Sequence, residues 1–557
     1  MEPRQKLVNS VDRCVDEALE GIVSSSGCLS LLRGHRVVVR ADLEALRGRV
    51  ALLSGGGSGH EPAHAGYIGS GMLSAAVAGG VFASPPPASV LAAILSLRDA
   101  GALGVLVIVK NYTGDRLNFG LAAEQARNRG VAVEMVIVAD DCAFDQPSKA
   151  GRRGLCGTVF VHKLAGALAE EGCPLDEIVS KVLWVSAYLP AVFQAVCPPL
   201  TCLLGRWSWD WVTSADQVVK TMVDHMTNPA SQSHLSLKSG DSVVLCVNNL
   251  GALSCLEIAV VTSSAIHYLE GRGVRVARAM SGSFMTSLEM AGVSLSLMRA
   301  DQEILRLFDA KTTAPAWPNL STVCISGRSY ILDPPAKDMQ ETSHTEGPLS
   351  GVMRKALEAV CSALLQRQEE LNSLDRASGD GDCGNTHAQA AKAIQEWLQS
   401  HLVPGCPGQL LSTLAGLVQE RMGGSSGALY SLFLTAAAAL LKDRSDPAAW
   451  ANAMHAGTDA MRWYGGADPG DRTMLDALCP AVEELRRLTT SPPGGHMAIL
   501  QAAVEKAELG AESTRDLTAR AGRASYIATV RVTLPDPGAV AIAGILRAVF
   551  EALGGQK

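Results

Sequence analysis

Asp333-Pro334-Pro335-Ala336-Lys337-Asp338-Met339-Gln340-Glu341-Thr342-Ser343-His344-Thr345-Glu346-Gly347-Pro348 divides the chain into two parts of different character. The stretch is polar, carries prolines at both ends and has no hydrophobic period. It reads as an exposed, mobile linker over 333–349. Upstream lie short β-rich runs at 50–53, 105–109, 133–138, 243–247 and 274–277, with helix-like segments such as 88–99 and 122–129 between them. Apolar runs of this kind, each ending in Gly, Asn or Asp, predict buried parallel strands with crossover helices. The expected unit at 1–332 is therefore α/β, in two halves of about 1–182 and 214–332. Downstream, from 350 to 557, Ala and Leu recur at helical spacing, which predicts an all-α domain of about eight helices.

Composition narrows the class. The chain has 557 residues, 47% hydrophobic and 18% charged, with a net charge of -7. A chain this apolar buries large cores, which excludes wholesale disorder. The mild acidity offers no basic stripe for nucleic acid or an anionic membrane. Apolar stretches are broken by Gly, Lys or Asp short of the ~20 residues that span a bilayer. Fourteen cysteines without a CxxC fit reduced thiols and a cytoplasmic setting. One stretch, 183–213, is foreign to its surroundings: it holds Trp184, Trp207, Trp209 and Trp211 with Pro190, Cys197, Pro198, Pro199 and Cys202. On composition alone it is as well read as a hydrophobic plug between the halves.

Three segments carry chemistry. Leu52-Leu53-Ser54-Gly55-Gly56-Gly57-Ser58-Gly59-His60-Glu61-Pro62 reads as a strand entering a Gly-rich turn, where backbone N–H groups approach a polar ligand closely. It lacks the Gly-Lys-Ser/Thr of a P-loop and the GxGxxG spacing, and an ordinary tight turn is the plain alternative. His60 at its exit, where α/β folds place ligands, favours a site. In Val109-Lys110-Asn111-Tyr112-Thr113-Gly114-Asp115 a buried strand ends in a lysine with an aspartate close behind. Together with His60 these suit binding a small polyhydroxy or carbonyl compound and moving its protons, against the alternative of a surface Lys and a helix-capping Asp.

Asp375-Arg376-Ala377-Ser378-Gly379-Asp380-Gly381-Asp382-Cys383-Gly384-Asn385-Thr386-His387 is the strongest of the three. Its glycines let Asp380 and Asp382 converge with Asp375, a hard-oxygen set that suits Mg²⁺ completed by phosphate oxygens. It does not follow the ligand order of an EF-hand; Ca²⁺ binding without catalysis and a solvated acidic turn are the alternatives. Met422-Gly423-Gly424-Ser425-Ser426 opens an apolar helix, a natural phosphate site. Gly465-Gly466-Ala467-Asp468-Pro469-Gly470-Asp471-Arg472-Thr473-Met474 brings an arginine able to neutralise a phosphate.

With Gly151-Arg152-Arg153-Gly154-Leu155-Cys156-Gly157-Thr158 and Ala521-Gly522-Arg523-Ala524-Ser525-Tyr526, these segments in this order resemble the dihydroxyacetone kinase family over nearly the whole chain. The likeness is to its ATP-dependent single-chain type and, within that, to the animal bifunctional members. The resemblance implies an α/β substrate domain of two halves and a barrel of helices for the nucleotide. It implies that Gly57, Ser58, Gly59, His60, Lys110 and Asp115 hold the triose, with His60 and Asp115 assisting proton transfer. Asp375, Asp380 and Asp382 would hold two Mg²⁺ ions on ATP. Cys383, Gly384, Asn385, Thr386, Ser425 and Ser426 would line the phosphates, and Gly465, Arg472, Thr473, Met474, Asp536, Pro537 and Gly538 would border the nucleoside. It also implies splitting of FAD into AMP and riboflavin cyclic 4',5'-phosphate with Mn²⁺ preferred, and a homodimer acting on small molecules.

There is one departure. The family holds the substrate carbonyl covalently on a histidine expected between 181 and 215, and no histidine occurs there. His225 belongs to the matching sequence that resumes at 214, so it is not a displaced substitute. Three functions follow as alternatives: a triose kinase with cyclase activity, a lyase whose kinase activity is lost, and a regulatory binding protein. The three convergent aspartates argue against the last.

Overall fold

The apolar runs at 50–53, 105–109 and 133–138 lie side by side in the computed structural model at one end of a single sheet, with 133–138 at its edge. Described residues are 6–143, 151–187, 191–195, 214–329, 331–334, 345–377, 379–442, 444–490, 495–521 and 534–554. The chain divides into two units, Met1–Asp333 and Pro334–Lys557. The first unit runs through α1 (Cys14–Ser24), β1 (Leu29–Leu31), β2 (Val37–Arg40), β3 (Val50–Ser58), β4 (Ala75–Val81), α2 (Pro87–Asp99), β5 (Gly104–Lys110), α3 (Thr113–Arg127) and β6 (Val133–Val138). It continues with α4 (Thr158–Glu170), α5 (Leu175–Ala187), β7 (Ala191–Ala195), α6 (Ala215–Met226), β8 (Ser242–Asn249), α7 (Cys255–Gly271), β9 (Arg275–Gly282), β10 (Gly292–Arg299) and α8 (Gln302–Asp309).

The strands form a six-stranded sheet, β1-β2-β4-β3-β5-β6, and a four-stranded one, β7-β10-β8-β9. In the first, β4, β3, β5 and β6 are parallel and β2 is antiparallel to β4. In the second, β8 and β9 are parallel and β10 runs antiparallel to β7 and β8. Every residue of β5 is buried, as an apolar strand covered on both faces requires. One face of the large sheet packs under α2 and α3 through Leu53, Val107 and Phe119. Its other face shares a core with the second sheet, in which Leu52, Ile108 and Phe160 join Val244, Cys246 and Phe308. The two halves thus meet in one hydrophobic cluster.

The glycine run differs from its reading as a turn. Gly55, Gly56 and Gly57 stay inside β3: Gly55 pairs with β4 and β5, Gly56 with β4, and Gly57 stands at a shift of register against β4. A Cβ at Gly55 would meet Val77 O at 2.2 Å, and one at Gly57 the backbone of Phe82 at 2.9 Å. The glycines admit close neighbours along a strand rather than bending one. Of 183–213, residues 183–187 complete α5 and 191–195 form β7, the edge strand beside β10. Trp207, Trp209, Trp211, Cys197 and Cys202 lie outside the described residues, as does most of the linker. All described cysteines are free thiols.

The second unit has nine α-helices among the described residues: α9 (Ser350–Gln366), α10 (Gln368–Arg376), α11 (Cys383–Ser400), α12 (Pro407–Arg421), α13 (Gly424–Leu440), α14 (Pro447–Gly465), α15 (Leu475–Leu485), α16 (His496–Ser513) and α17 (Pro537–Gly554). Eight pack in chain order, α9 on α11, then α12 through α17, and α17 returns to α9. The result is a closed ring of helices with α10 set against α11 and α17. By length and composition α17 is, among the described helices, a candidate membrane span, which differs from the reading of the apolar stretches as too short. It closes the ring instead, and its Arg547 holds Glu508 of α16 through two bonds of 2.9 and 2.6 Å.

Candidate functional site

In the first unit, polar groups gather at the carboxyl ends of β3 and β5. Lys110 is the last residue of β5, 3% exposed, with its ammonium 5.5 Å from the Tyr112 ring. Burial pulls its amine down to about 8, opposed by the charges of Asp115 and Asp140. Asp115 sits in the first turn of α3 and is 4% exposed. Burial raises its carboxyl, against the Ser84 hydroxyl and the Lys110 charge. Both residues are therefore interior groups, not the surface pair of the plain alternative.

His60 Nδ1 lies 2.7 Å from Thr286 O. A carbonyl only accepts, so Nδ1 carries the proton and Nε2 is the basic nitrogen. Burial, and then Lys110, holds His60 down at about 4, so the ring is neutral across the physiological range. Neighbouring groups are partly committed to the protein. The Ser58 hydroxyl donates to Gly79 O at 2.8 Å, and Gly59 N–H donates to the Glu61 carboxylate at 2.9 Å. A cavity of about 190 Å³ lies along Gly56–Gly59 and His64, on the side facing Val15, Leu19 and Ile22 of α1; Lys110, Asp115 and His60 are not part of its lining.

Four residues here went unpredicted: Ser54, His64, Asp140 and His162, all buried. Asp140 accepts from Leu155 N at 2.6 Å and Gly157 N at 2.8 Å, which ties the Gly151–Thr158 segment down. That segment packs on the lysine, since a Cβ at Gly154 would meet Lys110 Cβ at 2.7 Å. His64 follows His60 by four residues, the one local signal available. No local pattern links it to His162, whose ring lies edge-on with a centroid distance of 5.3 Å.

In the second unit, Asp375, Asp380 and Asp382 offer carboxylate oxygens within 4.8 Å of one another. Asp375 comes from the end of α10, and its Oδ2 accepts from Asp382 N at 2.9 Å and Cys383 N at 3.1 Å. Gly381 takes φ +79°, and a Cβ at Gly379 would stand 2.2 Å from Asp375 Oδ1. Both glycines are required by the turn. Three hard oxygen donors, two of them on exposed residues with room for water and phosphate oxygens, fit Mg²⁺ or Mn²⁺. The amino end of α11 follows at once, with Cys383, Gly384, Asn385 and Thr386 in its first turn.

The side chains of Asn385 and Thr386 are committed to the protein. Asn385 Oδ1 accepts from Gln368 at 2.8 Å and Asn372 at 3.1 Å, and the Thr386 hydroxyl donates to Asp382 O at 3.0 Å. What this terminus offers an anion is its backbone and dipole. Ser425 and Ser426 open α13 behind Gly423 at φ +68°, and neither caps the helix. Gly465 ends α14.

Arg472 is an interior residue, and its Nε and Nη1 are buried with no hydrogen-bond partner among the described residues. It is 2% exposed, at φ +63°, and donates from Nη2 to Leu534 O at 2.7 Å. Burial lowers its pKa, and Asp536 opposes this. Its side-chain bond to Leu534 ties the 472–476 turn to the segment before α17. Thr473 N donates to Asp476 at 2.7 Å, and Met474 precedes α15. A Cβ at Gly538 would lie 3.4 Å from Met474 Cβ and 3.1 Å from Asp536 Oδ1, so 474 and 536–538 border one place. Asp536 is pushed up to about 6 by burial. Its charge is felt at Cys383 together with those of Asp375, Asp382 and Asp380, so this border adjoins the acidic turn.

Three convergent carboxylates at a helix amino end, in a chain that also gathers a buried lysine, a buried aspartate and a neutral imidazole at the carboxyl ends of β3 and β5, suit a two-domain enzyme of the phosphotransferase class. Residues 20–190 and 208–316 match the Dak1 domain, and 377–551 match the DAK2 domain. Triokinase/FMN cyclase of Homo sapiens is 52% identical over 571 residues, covering 99% of each chain. Dihydroxyacetone kinase of Citrobacter freundii is 37% identical over 589 residues, covering 98% of this chain and 99% of its own. The crystal structure of the C. freundii dihydroxyacetone kinase in complex with AMP-PNP and Mg²⁺ superposes with a TM-score of 0.74 at 33% identity, covering 99% of this chain and 100% of that one. The chain belongs to the dihydroxyacetone kinase family.

Proposed function

We propose that this enzyme transfers the γ-phosphoryl group of ATP to a hydroxyl of dihydroxyacetone or glyceraldehyde. The observation that carries the reading is the convergence of Asp375, Asp380 and Asp382 at the head of α11. Divalent ions bound there would neutralise charge on the transferred phosphoryl group. The chain's own residues do the remaining work. Lys110 and Asp115 bind the polar triose in a buried setting, where hydrogen bonds to it are strong. His60 is kept neutral and so accepts, at Nε2, the proton of the attacking hydroxyl, with Asp115 assisting. The hydroxyl oxygen bonds to the γ-phosphorus while the bond to the β,γ-bridging oxygen breaks, and ADP leaves.

A second activity is supported by the same cluster and by the 52% identity to proteins named triokinase/FMN cyclase. It is the Mn²⁺-assisted splitting of FAD into AMP and riboflavin cyclic 4',5'-phosphate, with a ribityl hydroxyl as nucleophile. The match to the Dak1 domain is interrupted between 190 and 208, inside the stretch that lacks the family's histidine. This favours a kinase weaker than its relatives beside a retained cyclase. Assays of dihydroxyacetone phosphorylation with ATP and Mg²⁺, and of FAD splitting with Mn²⁺, test both. No turnover of either substrate by the pure chain would overturn the reading.

A further inference from the structure

Two buried imidazoles, His64 and His162, take no part in the transfer proposed above. Ser54 decides their protonation. Its hydroxyl has one proton, which it donates to Ile108 O at 2.7 Å. The same oxygen lies 3.3 Å from His64 Nδ1 and 3.2 Å from His162 Nε2, so it must accept from both rings. A neutral imidazole carries one N–H, and burial followed by the Lys110 charge holds His64 well below its ordinary value. His64 is therefore protonated at Nδ1. Its Nε2 is a bare lone pair, buried and with no hydrogen-bond partner.

The surroundings of that lone pair point to a ligand. A Cβ built at Gly56 would stand 3.6 Å from Lys110 Cε, 3.8 Å from Asp115 Oδ2 and 3.8 Å from His64 Nε2. The missing side chain leaves a space faced by a cation, a carboxylate and a neutral acceptor. Gly56 and His64 also line the 190 Å³ cavity. Asp115 Oδ1 is a second buried atom without a hydrogen-bond partner. Unpaired buried polar atoms are rare in folded proteins, and two on residues facing one small space suit a ligand rich in hydroxyl donors.

We propose that His64 is a substrate-contacting residue of this pocket, whose Nε2 accepts a hydrogen bond from a hydroxyl of the small polyhydroxy carbonyl compound. Ser54 and His162 are positioning residues that fix the required tautomer. The proposal rests on the reading of this pocket as the triose site, and it adds a specificity rule. A ligand that presents a methyl group to His64 in place of a hydroxyl leaves the lone pair unpaired and binds more weakly.

The test is a saturation-transfer NMR titration of the full chain with dihydroxyacetone and with hydroxyacetone, which lacks one hydroxyl. The wild type should prefer dihydroxyacetone by roughly tenfold to a hundredfold. His64→Asn keeps a polar group near Ser54 but removes Nε2, and should reduce that preference about tenfold. His64→Gln, whose amide oxygen reaches towards the Nε2 position, should restore part of it. An unchanged preference in His64→Asn, with dihydroxyacetone still bound, overturns the proposal and leaves the triose reading intact. Absence of binding by the wild type overturns both. Should the variants fail to fold, ¹⁵N-histidine NMR of the wild type decides. The His64 Nε2 signal must be that of an unprotonated nitrogen and must shift when dihydroxyacetone is added; no shift, or a protonated Nε2, overturns the proposal.

Discussion

Gly384→Ala tests most directly how the acidic cluster is held. A Cβ at 384 would stand 1.8 Å from Gln368 O, 2.8 Å from Gln368 C and 2.8 Å from Asn372 Oδ1. Two of these are backbone atoms of α10, so no change of rotamer relieves the contact. Contact at about 3.5 Å requires the head of α11 to move by about 1.7 Å. That movement separates α10, which carries Asp375, from the turn that carries Asp382. It stretches the 2.9 Å bond between them and the 3.0 and 3.1 Å bonds joining Asn372 to Asn385. Overpacking costs about 1–3 kcal/mol and each lost hydrogen bond about 0.5–1.5, so the two Asn372 bonds bring the sum to about 2–6 kcal/mol. For a unit of this size that lowers Tm by roughly 4–24 °C. Mn²⁺ affinity should fall about tenfold or more, because the carboxylates no longer converge. Calorimetry and an EPR titration of Mn²⁺ on the full chain read both effects. Gly416→Ala is the control: it lies inside α12 with nothing within 4 Å of its Cβ, and should stabilise by about 0.5–1 kcal/mol. A Gly384→Ala chain with unchanged Tm and unchanged Mn²⁺ affinity would refute the reasoning.

Asp380→Ala should reduce both triose phosphorylation and FAD splitting by about a thousandfold, with the circular dichroism spectrum unchanged; loss of only one activity would separate their metal sites. Lys110, pulled to about 8 from 10.5, binds fewer protons in the folded chain than in the unfolded one between those values. Its linkage term therefore makes stability rise with pH across that interval, while its charge, and dihydroxyacetone binding with it, fades above about pH 8. Lys110→Arg should remove that alkaline limb in a binding titration. Asp536, raised from 3.8 to about 6, has the opposite sense, because the folded chain holds the proton longer. Its contribution to Tm should fall as pH rises from about 4 to 6, and Asp536→Asn should flatten that slope. The absent histidine segment predicts a kcat/KM for dihydroxyacetone several orders of magnitude below that of the human relative, on the order of what an intramolecular tether supplies, with FAD splitting at comparable rates. Equal kinase efficiency would remove any role for that segment.

Where chemistry is local in the chain, the sequence was sufficient. Asp375, Asp380 and Asp382 fall within eight positions, and the intervening glycines permit one compact turn, so their convergence was legible from spacing. The run at 105–109 announced a parallel strand because a strand buried on both faces leaves a continuous apolar record, and its neighbour at 133–138, an edge strand with Glu134 exposed, still shows through its β-branched residues. The change at 333–349 announced two units because a switch from strand-like to helical period survives without any tertiary contact.

Long-range packing decided the rest. β4, Ala75-Ala76-Val77-Ala78-Gly79-Gly80-Val81, escaped notice because Ala and Gly are poor strand formers. It needs them, since a Cβ at Gly79 would stand 1.9 Å from Ala83 O. The run at 55–57 is strand and not turn because Val77 and Phe82 close against it, and neither is near in the chain. Burial, which no local pattern records, left Lys110, Asp115 and His60 with altered proton affinities. Ser54 and His162 are 108 residues apart, and only the packing of α4 beneath β3 brings them to 3.2 Å. The sequence by itself brought out the candidates Asp375, Asp380, Asp382, His60, Lys110 and Asp115; the tertiary structure added His64, Ser54 and His162 and decided charge, tautomer and company, because those depend on what excludes water from them.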